Sequence, residues 1–247
     1  MTLKGLISRF GMLVGVIDIA LRSLRLGVYV RPAKYRKYTP EFARLVIGRD
    51  PTKGLTLTED EAYTLCSSVY AVSGLEGAMA EFGVYKGASA RLLCDLKRDK
   101  KIYLFDTFRG MPNRKISIKD HWRKNTHRDT DIESVRKYLG NYSGVYYVEG
   151  EFPDSCANHP ELEQARYSFV HLDVDLYEST LEGLNYFYPK MLPGGRLVSH
   201  NYNLKDTDGG DTPGVKEAFK DYFEDDFIRV VEIAETQCMI IKAANST

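Results

Sequence analysis

Apolar and polar positions alternate in blocks along most of this 247-residue chain. From Gly77 onward, short apolar runs end in small or acidic residues, and a longer segment of mixed character follows each one. The runs Ala78–Phe82, Lys101–Phe105, Gly144–Val148, Ser168–Leu172 and Arg196–Ser199 read as strands. Ala88–Leu96, Ile132–Leu139, Thr180–Lys190 and Pro213–Phe223 read as helices. Strands joined through helices predict a parallel sheet. Two last runs, Phe227–Ile233 and Met239–Lys242, stand only a short turn apart and predict an antiparallel pair at its end. The expected class is therefore α/β, an open, mostly parallel sheet with helices on both faces, and its ligands should bind beyond the carboxyl ends of the strands.

Upstream, Thr58 precedes Glu59, Asp60 and Glu61. An oxygen-bearing cap followed by acids in the first turn marks a helix start, because both answer the unpaired N–H groups there. Tyr38 to Lys53 carries Pro40, Gly48 and Pro51 and reads as a connector. Leu3 to Val30 is rich in Leu, Ile and Val but carries Lys4, Arg9, Asp18, Arg22 and Arg25. Its longest uncharged run, between Arg9 and Asp18, is far short of the ~20 residues that span a bilayer, and no small-residue cleavage site follows it. Residues 1–57 are thus expected to form a helical extension ahead of a main domain at 58–247. That extension reads either as a helix that covers the site or builds a homo-oligomer, or as a basic amphipathic helix lying on a membrane. Between the second strand and its helix, Gly110 to Asp131 is a long polar excursion holding His121 and His127, expected to lie over the ligand-binding edge.

Composition changes this picture little. Hydrophobic residues make up 43% and charged residues 28%, with a formal net charge of +0, so nothing marks a nucleic-acid binder. Cys66, Cys94, Cys156 and Cys238 lack the close spacing of a zinc knuckle or a redox pair and read as reduced thiols of a cytoplasmic protein.

The chemistry concentrates at strand ends. Glu81-Phe82-Gly83-Val84-Tyr85-Lys86-Gly87-Ala88-Ser89 leads from the first strand into a helix. Gly83 and Gly87 allow a tight turn and close backbone approach, and the N–H groups opening the helix suit a negative group such as the carboxylate of a methionine moiety. Ser89 adds a hydroxyl, and Glu81 an acceptor for an ammonium group. Asp106 ends the second strand, where an acidic side chain meets ribose hydroxyls. Adenosylmethionine and dinucleotides carry the same ribose, and the missing third glycine disfavours a pyrophosphate loop without excluding a nicotinamide cofactor. Gly150-Glu151-Phe152 follows the third strand, where Phe152 either stacks on adenine or is simply buried. The fourth strand runs into Asp173-Val174-Asp175, with Asp175 and Glu178 placed to cap the next helix. The fifth strand ends at Ser199-His200-Asn201. Adjacent strand ends would join Asp173, His200 and Asn201 in a divalent-cation site open to a substrate diol.

Together these segments, with Asp106-Thr107-Phe108-Arg109-Gly110-Met111-Pro112, Asp173-Val174-Asp175-Leu176-Tyr177-Glu178-Ser179-Thr180, Tyr188-Pro189-Lys190 and Pro193-Gly194-Gly195, resemble the macrocin O-methyltransferase family over roughly residues 58–242. That family methylates sugar hydroxyls of macrolide and aminocoumarin natural products. The resemblance implies a class I methyltransferase (Rossmann-like) fold, S-adenosylmethionine as donor, Mg²⁺ or another divalent cation as helper, and a sugar or glycoside as acceptor. It implies donor contacts from Glu81, Gly83, Gly87, Ser89 and Asp106, and Asp173 as a metal ligand. The segments that carry them add Tyr85, Thr107, Gly150, Glu151, Phe152 and Asp173 to the expected donor site. The family usually has two aspartates where this chain has His200 and Asn201, so Mg²⁺ affinity should fall. Either another metal is preferred, or His200 is the base of a metal-free enzyme, or catalysis is lost and a donor-binding scaffold remains.

Overall fold

The computed structural model describes residues 57–122, 125–203, 213–234 and 236–244. All of them belong to one compact unit, Pro51–Thr247. The predicted N-terminal helix, with its covering, oligomer or membrane role, lies outside the described residues.

Seven strands form one sheet: β1 (Ala78–Phe82), β2 (Ile102–Asp106), β3 (Val145–Glu149), β4 (Tyr167–Leu172), β5 (Met191–Ser199), β6 (Val231–Glu232) and β7 (Cys238–Ile241). Their spatial order is β3-β2-β1-β4-β5-β7-β6. The first five are parallel, and β7 is antiparallel to both β5 and β6. This is the predicted mostly parallel sheet with an antiparallel final pair. Helices α1 (Glu59–Ala71), α2 (Ala88–Leu96), α3 (Ile132–Tyr138), α4 (Tyr177–Lys190) and α5 (Pro213–Phe223) accompany it.

Central strands read as continuous apolar runs because helices cover both faces of a parallel sheet. Every residue of β4 is buried. Phe82, Phe105, Tyr167 and Phe187 pack together, with Phe82 and Phe187 6.3 Å apart and Phe105 and Phe187 5.2 Å apart between ring centroids. Thr58 and Glu61 close the start of α1 with reciprocal bonds: Thr58 Oγ1 accepts from the Glu61 amide at 3.3 Å, and Glu61 Oε2 accepts from the Thr58 amide at 2.9 Å.

Three elements depart from the pattern. The strand predicted at Arg196 begins at Met191, with Tyr167 opposite Met191 and Phe169 opposite Arg196, so Pro193-Gly194-Gly195 bulges out within it. The run Phe227–Ile233 contributes only Val231 and Glu232 to the sheet. Its beginning is 3₁₀ helix, Glu224–Arg229, with Ile228 89% exposed. Helix α4 starts three residues before its predicted Thr180, since the Tyr177 amide finds an acceptor in Asp120 Oδ1 at 2.8 Å. No helix among the described residues is long and apolar enough to cross a membrane.

Candidate functional site

The four central parallel strands end at one edge. Phe82 lies opposite Phe105 and Leu172, and Leu172 opposite Ser199. Strand order reverses here, since β1 has β2 on one side and β4 on the other, and such a switch point leaves a crevice. A cavity of about 430 Å³ occupies it, within the range of small-molecule sites.

At one end stands the glycine turn. Gly83 and Gly87 have φ +93° and +84°, and Gly87 is the N-cap of α2 without a side-chain cap. The opening N–H groups of α2 are therefore free of side-chain competition at a wall lined by Ala88 and Ser89. Asp106 organises this turn: its Oδ2 accepts from the amides of Val84 at 2.7 Å and Tyr85 at 2.8 Å, and its Oδ1 from the amide of Phe108 at 2.7 Å. Asp106 lines the cavity, and acceptor capacity remains at Oδ1 for a ribose hydroxyl. Tyr85, Thr107 and Gly150 line it too.

Three expected donor contacts sit differently. Glu81 is fully buried beneath the cavity rather than in its wall, and its Oε1 bonds His171 Nδ1 at 2.9 Å. An ammonium group has no open path to it. Phe152 borders the cavity but is 3% exposed, and its ring packs on Phe82 at 4.6 Å and Phe187 at 5.7 Å, so it is mainly core rather than a free stacking platform. Glu151 lies outside the lining.

Asp173, Asp175, His200 and Asn201 face the same space. The set expected to hold a cation is rearranged. Asn201, left-handed at φ +58°, turns its amide to Asp175 Oδ1. Beside Asp173 and His200 stands His171: one donor atom each from His171, Asp173 and His200 lie within 4.8 Å of one another. Mg²⁺ demands oxygen ligands in a strict octahedron, and two imidazoles with one carboxylate do not fit it.

Side chains that the pattern did not single out complete the site. Asp175, read as a helix cap, is instead buried in the cavity wall, and burial together with the Asp173 charge pushes it up to about 7. Glu61 reaches from α1 so that its Oε1 accepts from the Thr236 amide at 3.1 Å and stands 3.7 Å from His200 Nε2. Lys115, from the polar excursion, is buried, donates to the Phe152 carbonyl and pairs with Glu182. His127 of the same excursion lies 3.9 Å from Asp175 Oδ2 with its ring edge-on to Tyr85, whereas His121 is exposed and outside the lining. As predicted, the excursion covers the ligand edge. The four cysteines are free thiols, and burial pushes Cys94 up to about 12.

Sheet order, glycine turn and strand-end acids define a class I methyltransferase fold. The solved O-methyltransferase NovP shares it with a TM-score of 0.62 at 23% identity, over 75% of this chain and 81% of that one. The calicheamicin methyltransferase CalS11 shares it with a TM-score of 0.60 at 19% identity, over 88% and 96%. Residues 35–232 match the family Macrocin-O-methyltransferase (TylF), and the chain belongs to that family. Among curated relatives, a tetracenomycin-C 4'-O-methyltransferase acting on its dimethoxy-rhamnosyl form, from Streptomyces olivaceus, is 26% identical over 56% of this chain and 58% of its own length. The demethyldecarbamoylnovobiocin O-methyltransferase of Streptomyces niveus is 27% identical over 61% and 59%. The mycinamicin III 3''-O-methyltransferase of Micromonospora griseorubida is 25% identical over 60% and 61%. The chain thus spans about three-fifths of the length of the curated relatives it matches.

Proposed function

We propose that this chain is an S-adenosylmethionine-dependent O-methyltransferase whose acceptor is a hydroxyl of a sugar or glycosylated small molecule. The observation that carries the reading is the position of the cavity. It lies at the switch point of a family sheet, with the start of α2, Asp106, Asp173 and Asp175 in its wall. Curated relatives named for sugar-bearing substrates support the acceptor class.

When bound, S-adenosylmethionine supplies an electrophilic sulfonium methyl. The α2 N-terminus and Ser89 would hold its carboxylate, and Asp106 its ribose. Asp175 would take the acceptor's hydroxyl proton as the oxygen–methyl bond forms and the methyl–sulfur bond breaks; it is a buried carboxylate of the cavity wall. We assign this role to Asp175 rather than His200, whose Nε2 is turned toward Glu61. Lys115, Trp122 and His127 from the excursion shield the reaction from water, and most of the rate gain comes from orientation.

The test is calorimetric titration with S-adenosylmethionine, followed by measurement of S-adenosylhomocysteine formed with a panel of deoxysugar glycosides. Saturable donor binding and turnover on at least one glycoside are expected. Absence of donor binding would end the reading.

A further inference from the structure

Asp173 stands just past the end of β4, two residues after His171, and its amide continues the ladder to the Phe82 carbonyl at 2.8 Å, so the two side chains leave the same face. His200 follows the end of the neighbouring strand, and its amide continues the ladder to the Leu172 carbonyl at 2.9 Å. Chain direction and register alone therefore converge two imidazoles and a carboxylate on one point.

Each imidazole has a carboxylate near one nitrogen, hydrogen-bonded at His171 and only close by at His200. His171 is completely buried; Glu81, its register partner on β1, engages Nδ1 at 2.9 Å, and Nε2 has no hydrogen-bond partner. His200 is 5% exposed; Glu61 faces its Nε2 at 3.7 Å, and Nδ1 has no hydrogen-bond partner. Leaving a buried imidazole nitrogen unsatisfied costs about 1–3 kcal/mol, and this site does so twice, beside a carboxylate. A carboxylate on the far nitrogen is the usual support of a metal-ligating histidine, because it fixes the ring's tautomer and orientation.

We propose that His171, Asp173 and His200 form a site for a nitrogen-preferring divalent transition ion of the Zn²⁺ or Co²⁺ type, with Glu81 and Glu61 orienting the two imidazoles. Imidazole donors favour such ions, whereas Mg²⁺ favours an all-oxygen shell. Zn–N and Zn–O bonds are about 2.0–2.2 Å, so the three donors, within 4.8 Å of one another, close on the ion by small side-chain rotations. Asp173 and the cavity leave further positions open on one side. As a statement about the methyl-transfer site, the inference rests on the function proposed above; ion binding is measured without donor or acceptor, so each idea fails separately.

The test uses chelator-stripped full chain titrated with Co²⁺, read by ligand-field absorption, and with Zn²⁺, read by calorimetry, each in the presence and absence of excess Mg²⁺. One ion per chain is expected, with Mg²⁺ unable to displace it. His200→Ala should weaken Co²⁺ binding at least about 100-fold, and Glu81→Gln, which acts only through His171, about 10–100-fold. His200→Asp should lose Co²⁺ affinity and gain Mg²⁺ affinity. Far-UV circular dichroism and donor titration of each variant report whether it has folded. No cobalt spectrum in the wild type, equal competition by Mg²⁺, or unchanged Co²⁺ binding in folded His200→Ala would overturn the site. Donor binding that persists without any ion binding would sink the metal inference and leave the methyltransferase reading standing.

Discussion

A β-carbon placed on Gly83 would lie 1.9 Å from the backbone oxygen of Asp173. The turn leaving β1 and the chain leaving β4 thus pass so closely that only glycine fits, and φ +93° adds a second demand for it. The Asp173 amide bonds the Phe82 carbonyl at 2.8 Å, so neither backbone can retreat cheaply. Gly83→Ala should cost about 2–6 kcal/mol, from overpacking and backbone strain together. It should also abolish donor binding, because relief of the clash moves the turn that Asp106 holds. Thermal melting and donor calorimetry check both, and a variant with wild-type melting and affinity would refute the geometry.

The polar excursion is held down by a buried lysine paired with a half-buried glutamate. Lys115 contacts the Phe152 carbonyl and Glu182, with Lys115 6% and Glu182 33% exposed. Breaking a buried pair costs about 3–5 kcal/mol, and solvent at Glu182 reduces this to about 1–3 kcal/mol for Lys115→Met. The Lys115→Met, Glu182→Leu double-mutant cycle in urea should show coupling; strict additivity would mean the pair contributes nothing.

Asp120 anchors the other end of that excursion. Its Oδ1 accepts from the Tyr177 amide at 2.8 Å, and its Oδ2 from the Ser117 amide at 2.8 Å. It therefore caps α4 from 57 residues away. Asp120→Ala should cost about 0.5–2 kcal/mol and speed amide exchange at Tyr177, while Asp120→Asn, which keeps one acceptor oxygen, should cost less. Equal exchange in all three proteins would count against the cap.

These contacts explain what the sequence pattern reveals and what it hides. The bounds of β1 and α2 are legible because buried parallel strands read as apolar runs and a glycine opens the helix. Gly83, Asp106 and Asp173 are legible because strand ends in this class of sheet meet the ligand. The early start of α4 is not, since its cap comes from a loop far upstream. Nor is the partnership of Glu81 with His171, 90 residues apart, which depends on register between neighbouring strands. Asp106 looks like a ligand-binding acid, yet three backbone amides claim it first. Asn201 looks like a metal ligand, and the pattern does not show that its side-chain amide N–H donates to Asp175 Oδ1.

Asp175 provides the sharpest catalytic test. Asparagine keeps its shape and a hydrogen-bonding tip toward Asn201 but cannot take a proton at neutral pH. Under the proposed mechanism Asp175→Asn should lower kcat by about 10²–10⁴-fold and leave donor affinity within a few-fold of wild type. A wild-type kcat would transfer the proton-accepting role elsewhere.

His127 yields a pH-dependent prediction whose sign follows from burial. Desolvation lowers its pKa below the ordinary 6.5, although Asp173, Asp129 and Asp106 pull the other way. The unfolded chain therefore takes up a proton at higher pH than the folded one. Between 6.5 and the lower folded value, the unfolded state binds more protons, so stability falls as the pH drops through that window. His127→Gln removes this contribution. It also removes ring contacts with Tyr85 at 4.9 Å and Trp122 at 5.5 Å, so the variant is less stable at every pH and only the slope is diagnostic. Titration of other buried groups, including His171 and Glu81, is common to both proteins and cancels in the difference. Urea unfolding on either side of pH 6.5 should show a shallower acid-side decline for His127→Gln; parallel curves would show that this imidazole is not held neutral by the fold.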